Sequence, residues 1–249
     1  MRQQEQEWDS KAEVYLDLSR KDITGVFAYE KYINTSSLFS LFPKSAQTVL
    51  DLGCGIGCFT NELTKKFSKV VGVDVSGKML NIAKGNAERA IFIKHDLETP
   101  LPDFKIKYDL ITAKLVLMYI EDLDLFAKEC SHALKIGGNM LVSITHPTRW
   151  LVKFLEKKKN NQRFARLQHL FTGYFSETYI DRRIGGPKGV TFTFIHRTLQ
   201  TYVNVFRRHG LILDLVDEPT VPDAFLLEYP KYSEKMDIPL RLNFRLVKK

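Results

Sequence analysis

The sequence is short of cysteine and of long hydrophobic runs. Its 249 residues include three cysteines, an odd number that does not make a fully paired disulfide framework. No apolar stretch approaches the roughly 20 residues that a membrane-spanning helix needs. The first ten residues are polar and lack the apolar core of a secretion signal. We therefore expect a cytoplasmic protein with no membrane span.

The sequence also lacks the patterns of a metal site and of a phosphate-binding loop. Cys54 and Cys58 are four residues apart, but no second cluster of cysteine and histidine accompanies them, so structural thiols are favoured over zinc ligands. The glycine-rich segment at residues 51–57 is not followed by the Gly-Lys-Ser/Thr of a phosphate-binding loop. We expect no bound metal.

Acidic residues are fewer than basic ones, and the formal net charge is +8. This excess permits a nucleic-acid or membrane-surface partner. Much of it lies between Lys157 and Arg166 and in the last two lysines, and such charge runs are more often solvated helix faces than binding patches. A small-molecule partner is therefore favoured over nucleic acid, which stays open, and we expect a monomer or a homodimer.

Short β-branched segments alternate with amphipathic ones along most of the chain. They predict strands at residues 49–52, 70–75, 90–93, 108–113, 140–144, 211–216 and 240–247. Strands that alternate with helices imply right-handed crossovers and a parallel sheet covered on both faces. The predicted fold class is α/β: a Rossmann-like, seven-stranded, mostly parallel sheet with helices on both faces, an antiparallel last strand and an inserted α/β cap.

A single domain over residues 1–249 is expected. Its four parts are N-terminal helices at 1–43, a cofactor-binding core at 44–147, a substrate cap insertion at 148–197 and the C-terminal part of the sheet at 198–249. The cap is predicted because the pattern changes to two amphipathic stretches and a hairpin about Gly185-Gly186-Pro187. An insertion after the carboxyl end of a parallel strand lies over the ligand crevice of such folds.

Acidic residues mark the ends of three successive predicted strands. Asp51 opens the segment Asp51-Leu52-Gly53-Cys54-Gly55-Ile56-Gly57, whose glycines permit a tight turn and a close backbone approach to a ligand. Asp74 ends the second strand, where a carboxylate can accept hydrogen bonds from both ribose hydroxyls; the alternative is a helix N-cap, for which Ser76 is better placed. Asp96, in His95-Asp96-Leu97 after the third strand, can accept from an adenine amino group. Together these sites suit a nucleoside.

These segments resemble the class I S-adenosylmethionine-dependent methyltransferases of the small-molecule type. The other matching segments are Val73-Asp74-Val75-Ser76, Tyr108-Asp109-Leu110-Ile111, Tyr119-Ile120-Glu121-Asp122 and Leu134-Lys135-Ile136-Gly137-Gly138, with Trp8-Asp9 and Tyr15 near the start. The resemblance covers about residues 45–145 and implies S-adenosyl-L-methionine as the cofactor. The cofactor-binding residues that it implies are Tyr15, Asp51, Gly53, Cys54, Gly55, Asp74, Val75, Met79, Asp96, Leu97 and Lys114.

A nicotinamide dinucleotide is the main alternative ligand for a glycine-rich loop after a strand. Dinucleotide folds usually have Gly-x-Gly-x-x-Gly, which gives the pyrophosphate a close helix N-terminus, whereas here the glycines are at 53, 55 and 57. The carboxylate of Asp51 before the loop repels a pyrophosphate but suits an ammonium group and a sulfonium. Spacing and charge both favour S-adenosylmethionine over NAD.

For methyl transfer, the protein supplies proximity and orientation and, when the nucleophile is protonated, a general base. His146 leaves the fifth predicted strand at the right edge to be that base; the alternative is that it hydrogen-bonds backbone beside Pro147. Arg197 either clamps a substrate carboxylate or forms a structural ion pair, with Glu218 as the candidate partner. The candidate substrate residues are Tyr119, Trp150, Tyr179, His196 and Arg197.

The expected function is S-adenosylmethionine-dependent methyl transfer to an O, N or C nucleophile of a small molecule. One alternative is methylation of RNA or protein through the basic stretch at residues 157–166, in which case RNA binding should weaken steeply with salt. The other alternative is a cofactor-binding, non-catalytic regulatory partner.

Overall fold

Nine strands in two sheets, with surrounding helices, make up the residues that the computed structural model describes, which are 3–21, 25–149, 173–184, 190–230 and 239–249. The strands are β1 Thr48–Leu52, β2 Lys69–Asp74, β3 Ile91–Lys94, β4 Tyr108–Lys114, β5 Leu134–Thr145, β6 Thr178–Ile184, β7 Val190–His196, β8 Leu211–Asp217 and β9 Arg241–Lys248. The helices are α1 Gln3–Lys21, α2 Val26–Ala28, α3 Thr35–Ser40, α4 Cys58–Thr64, α5 Gly77–Asn86, α6 Leu123–Ala133, α7 Leu199–Arg208 and α8 Asp223–Glu228, with a π-helical turn at Tyr29–Asn34 and a 3-10 turn at Leu117–Tyr119.

The central sheet has seven strands in the order β3-β2-β1-β4-β5-β9-β8. Strands β1 to β5 pair in parallel, and β9 is antiparallel to both of its neighbours. The strand order reverses between β1 and β4, and open α/β sheets bind ligands at such a switch point, beside the carboxyl ends of the strands. The predicted seven-stranded, mostly parallel sheet with an antiparallel last strand is therefore confirmed.

Burial on both faces explains why β1 is a continuous apolar run. Leu50 and Leu52 belong to the core cluster on one face, whereas Val49 belongs to the cluster on the other. All three side chains are fully buried. A strand covered on both sides has no solvent-facing position for a polar residue, so its pattern does not alternate.

Strand β5 begins earlier than predicted, at Leu134 rather than at Met140. Its pairing with β4 shifts between Tyr108↔Leu134 and Leu110↔Asn139, so extra residues of β5 bulge out of the ladder. Gly137 has a φ of 74° in this bulge, a left-handed conformation that glycine adopts without strain. Gly137 and Gly138 therefore lie inside a bulged strand.

The N-terminal helices and the hairpin predicted from the sequence are both present. Strands β6 and β7 form a separate antiparallel sheet that runs from Thr178↔His196 to Ile184↔Val190. Phe192 and Phe194 of β7 are buried against Met118 in the 3-10 turn. The helical stretches predicted around Trp150 and Phe171 lie outside the described residues, so the division into four parts stays a prediction.

Candidate active site

A cavity of about 770 Å³ opens at the carboxyl ends of the central strands. Four strands each place a residue in its wall: Asp51 near the end of β1, Asp74 on β2, Lys114 on β4 and Thr145 on β5. Small-molecule sites occupy roughly 300–1,000 Å³. The pocket therefore has a suitable size and lies at the switch point of the sheet.

The glycine-rich loop between β1 and α4 is tied to the end of β2. The backbone N–H groups of Gly53 and Cys54 donate to the carbonyl oxygen of Val73 at 2.8 and 3.0 Å. Gly53 has a φ of 69°, and a Cβ there would lie 2.4 Å from a methyl group of Val116, so only glycine fits. A Cβ on Gly55 would meet no atom within 4 Å, which leaves this stretch of backbone open toward a ligand.

Asp74 points its carboxylate at the same loop. Its Oδ2 accepts from the N–H of Gly55 at 2.8 Å and its Oδ1 from the N–H of Ser76 at 2.9 Å. Burial raises the pKa of Asp74 above its ordinary value, against the effect of these hydrogen bonds. The N-cap of α5 is Ser76, whose Oγ accepts from the N–H of Met79 at 3.0 Å. The carboxylate of Asp74 is therefore not used as that cap and faces the cavity.

Asp51 is the second buried acid in the wall. Its two oxygens accept from the hydroxyls of Thr60 and Thr112, each at 2.7 Å. Burial nevertheless raises the pKa of Asp51 to about 6. Two acids with raised pKa values beside one loop make this end of the cavity a favourable place for a cationic ligand.

The cavity brings together all but one of the residues predicted to bind the cofactor. The predicted residues that lie in its wall are Tyr15, Asp51, Gly53, Cys54, Gly55, Asp74, Val75, Met79, Leu97 and Lys114. Asp96 is not one of them: its Oδ1 accepts from the N–H of Glu98 at 3.0 Å in the turn after β3. The predicted contact between Asp96 and adenine therefore stays a prediction.

Helix α1 covers the cavity and is attached to α5. The Oδ1 atom of Asp9 accepts from the hydroxyl of Ser76 at 2.6 Å and from the N–H of Lys78 at 3.1 Å. At the start of the helix, the side-chain amide of Gln4 donates to the carbonyl of Tyr119 at 3.2 Å. These contacts join α1 to the elements on two sides of the pocket.

Aromatic rings complete the cover. The ring of Trp8 lies 4.9 Å from that of Tyr119 and 5.5 Å from that of Phe192 on β7, measured between centroids. Tyr15 contacts Phe27 at 5.3 Å. Because α1 and β7 meet through these rings, the carboxyl ends of the strands lie beneath an apolar roof. Tyr119, predicted as a substrate residue, is part of this wall.

A buried ion cluster in the wall was not predicted from the sequence. Glu30 lies in the π-helical turn, and its Oε1 accepts from both Nε and Nη2 of Arg241 at 2.6 Å. Its Oε2 accepts from Asn34 at 2.7 Å and lies 3.1 Å from Nζ of Lys114. Burial opposes ionisation, but the two cations hold the pKa of Glu30 at about 2. The only local signal was an acid in a largely apolar helix.

His146 lies outside the cavity wall, and both of its ring nitrogens have partners. Nδ1 is 2.7 Å from the hydroxyl of Thr148 and Nε2 is 2.6 Å from a carboxylate oxygen of Glu218. Burial lowers the pKa of His146 despite this carboxylate. The ring therefore lies outside this wall with both nitrogens engaged, and its role as a general base stays a prediction.

Three of the five predicted substrate residues also lie outside the wall. Arg197 is buried and donates to the carbonyls of Leu117, Ile120 and Glu121 at 3.2, 2.6 and 3.0 Å, so it supports the 3-10 turn. A contact between Arg197 and a substrate stays a prediction. Nε2 of His196 lies 2.9 Å from the carbonyl of Tyr174. Tyr179 is 57% exposed. Trp150 lies outside the described residues.

Comparison with known proteins matches the core of the chain. Residues 50–142 match the family model described as a methyltransferase domain. The ubiquinone biosynthesis O-methyltransferase of Chelativorans sp. (strain BNC1) is 32% identical over 123 residues, 46% of this chain and 49% of that protein. The enzyme of the same name from Pelagibacter ubique is 32% identical over 103 residues, 40% of this chain and 42% of that protein. The matched region is thus less than half of each of these relatives.

Solved structures match over most of the chain. An S-adenosylmethionine-dependent methyltransferase from Mesorhizobium loti has a TM-score of 0.62 and 23% identity, and the match covers 86% of this chain and 96% of that chain. A TehB-like S-adenosylmethionine-dependent methyltransferase from Corynebacterium glutamicum has a TM-score of 0.58 and 17% identity, with 98% of each chain covered. At these identities the likeness is one of fold.

The family match and the fold agree with the motifs. Residues 50–142 match a methyltransferase domain, and the resemblance of the sequence motifs to the class I S-adenosylmethionine-dependent methyltransferases is confirmed. Within the described ranges, no helix is both long enough and apolar enough to cross a membrane.

Proposed function

We propose that this chain transfers the methyl group of S-adenosyl-L-methionine to an O, N or C atom of a small molecule held in the same cavity. The observation that carries the proposal is the pair of buried acids, Asp51 and Asp74, beside a glycine-rich loop. Burial raises the pKa of both. S-adenosylmethionine brings a sulfonium and an ammonium group, which are the charges that this wall favours. When bound, it supplies the electrophilic methyl group.

The chain's own residues would bind and orient the reactants. Asp74 would accept from the ribose hydroxyls, and Met79 and Leu97 would pack on the adenine. The loop from Gly53 would enclose the methionine moiety. Helix α1 and strand β7 would exclude water from the reacting atoms, so most of the rate enhancement would come from proximity and orientation.

The partly covered form of the cavity favours a small acceptor. The rings of Trp8 and Phe192 lie over part of it. The curated relatives are named as O-methyltransferases of ubiquinone biosynthesis, which fits a small-molecule acceptor. The basic stretch at 157–166, on which an RNA- or protein-directed activity depends, lies outside the described residues. Cytoplasmic location and oligomeric state stay predictions.

Calorimetric titration with S-adenosylhomocysteine tests the cofactor site. Asp74→Asn should weaken binding at least tenfold, because an amide nitrogen replaces one acceptor oxygen and hydrogen bonds to a charged group contribute about 1.5–3 kcal/mol. Asp124→Asn is the matched control, since this acid is 54% exposed at the start of α6. Equal affinities for wild type and Asp74→Asn would refute the assignment.

Turnover is tested separately with methyl-labelled cofactor. Wild-type protein incubated with metabolite and RNA pools should label a small molecule, identified by its mass. Labelled RNA, formed in a salt-sensitive manner, would support the RNA-directed alternative. Cofactor binding without any labelled product would support a non-catalytic partner.

A further inference from the structure

Beyond strand β4 the cavity continues over β5 and β9, away from the glycine-rich loop. Lys114 ends β4, Thr145 ends β5 and Arg241 begins β9, and the last two are register partners. All three line the cavity, as does Glu30. Neighbouring strands are about 4.8 Å apart, so the backbone of Arg241 lies roughly 14 Å from β1, three strands away. We name these four residues the β9 arm.

The charges of the β9 arm do not balance. The side chains of Glu30, Lys114 and Arg241 are 11%, 14% and 7% exposed. Glu30 is ionised, because its pKa is held at about 2, and it uses one oxygen for each cation. Among these four described residues, two cations and one anion leave a net charge of +1, although Lys114 also lies near enough to Asp51 to lower the pKa of that acid. Burying a charge without a counter-ion is costly.

Counting only contacts with the described residues, both cations keep N–H groups for a ligand. A guanidinium has five N–H groups and an ammonium has three. Among the described residues, Arg241 donates through Nε and Nη2 to Glu30 and through Nη1 to the carbonyl of Leu240. Lys114 lies 3.1 Å from Glu30. The remaining donors belong to side chains that form the wall of the cavity.

The cavity is therefore polarised. Its β1 and β2 end carries Asp51 and Asp74, which suit the cationic cofactor, whereas the β9 arm carries the excess of positive charge. Complementary charge at each end gives specificity for two ligands of opposite sign. An anionic substrate in the β9 arm would lie beside the cofactor site without competing for its acids.

We propose that the substrate carries a carboxylate that binds Arg241 and Lys114 in the β9 arm, while Glu30 positions both cations. This inference rests on the proposed methyltransferase function. A planar carboxylate matches the guanidinium fork, and its single charge balances the excess of one. A phosphate, with about −1.5 to −2 charges at pH 7, would overcompensate it.

The test uses protein saturated with S-adenosylhomocysteine and titrated with matched pairs of small molecules. The pairs are acetate with acetamide, hexanoate with hexanamide and benzoate with benzamide, and phenylphosphonate is added as a dianion. At least one carboxylate should bind ten or more times more tightly than its amide and more tightly than the phosphonate. Arg241→Gln should remove that preference, and Arg241→Lys should restore part of it.

Two further variants separate this effect from misfolding. Arg245→Gln is the matched control on the same strand, because its guanidinium pairs with Asp214 and lies outside the cavity wall; it should behave as wild type. The double variant Glu30→Gln with Arg241→Gln removes the ion pair as a unit and should lose the carboxylate preference while it keeps its affinity for S-adenosylhomocysteine.

The outcomes distinguish the two proposals. Failure of wild type to bind S-adenosylhomocysteine would overturn the proposed function itself. Normal binding of S-adenosylhomocysteine with equal affinity for every carboxylate and its amide would overturn only the anion site. A tenfold loss of S-adenosylhomocysteine affinity in Arg241→Gln would also overturn it, because the arginine would then serve the cofactor.

Discussion

The affinity for S-adenosylmethionine should fall as the pH is lowered through the pKa of Asp51. Burial raises that pKa to about 6 in the ligand-free protein, although the hydroxyls of Thr60 and Thr112 donate to the carboxylate. A bound sulfonium and ammonium favour the ionised form and lower the pKa again. In acid, Asp51 must lose a proton before the cofactor binds, and the affinity weakens.

The size of the change in affinity follows from the change in the pKa of Asp51 on cofactor binding. If the pKa falls to about 3.9 on binding, the ordinary value for aspartate, the affinity drops about twofold at pH 6 and about tenfold at pH 5, relative to pH 8. Most of one proton should be released for each cofactor bound at pH 5. The raised pKa of Asp74 acts in the same direction and adds to the slope.

The same shift has a consequence for the stability of the ligand-free protein. The folded state holds the proton of Asp51 more tightly than the unfolded chain does, so the free energy of unfolding should decrease as the pH rises from about 4 through 6. A shift of two units corresponds to about 3 kcal/mol. Asp51→Asn should therefore raise the unfolding temperature at pH 7 and at the same time weaken cofactor binding.

Calorimetric titration at pH 8, 6 and 5, in two buffers of different ionisation enthalpy, measures the affinity and the protons released. Asp51→Asn should flatten the profile, whereas the exposed-site variant Asp124→Asn should retain it. S-adenosylhomocysteine, which lacks the sulfonium charge, should show a smaller change. A constant affinity from pH 8 to pH 5, or an unaltered slope in Asp51→Asn, would show that Asp51 does not face the cation.

Two further predictions concern the roof and the loop. Asp9→Ala removes the acceptor that joins α1 to Ser76, a cap-like contact of about 1 kcal/mol, so cofactor dissociation measured by stopped-flow should become about fivefold faster. Glu13→Ala, at an exposed position of the same helix, should leave the dissociation rate unchanged. Equal rates for both variants would contradict a role of Asp9 in closing the cavity. Gly53→Ala should abolish cofactor binding or folding, because the added Cβ would meet Val116. Gly85→Ala in α5, where a Cβ meets nothing within 4 Å, should raise the melting temperature slightly. A functional Gly53→Ala variant would show that the loop can shift.

Local patterns were sufficient to locate the β1 and β2 end of the cavity, where we propose that the cofactor binds. The apolar run before Asp51 marked a strand buried on both faces, and the glycines after it marked a turn with positive φ angles. Asp74 ended the next strand. Because the carboxyl ends of parallel strands meet at one edge of the sheet, residues placed correctly along the chain were also placed correctly in space.

The partners of polar side chains were decided only by the tertiary structure. Glu30 and Arg241 are 211 residues apart, and nothing near either one in the sequence indicates that they form one ion cluster. His146 and Arg197 directly follow two of the strands, at plausible positions for a site. However, the ring of His146 contacts Glu218, and the guanidinium of Arg197 donates to backbone carbonyls.

The sequence by itself thus determined the class of the fold, the glycine-rich loop and the acids at the β1 and β2 end of the cavity, since these depend on periodicity and on the order of the strands. The tertiary structure decided which charges are buried together, that α1 closes the cavity through Asp9, and that the β9 arm carries the excess positive charge. The reason is physical: hydrogen bonds and ion pairs depend on distances of a few ångströms between segments remote in sequence, and only packing sets those distances.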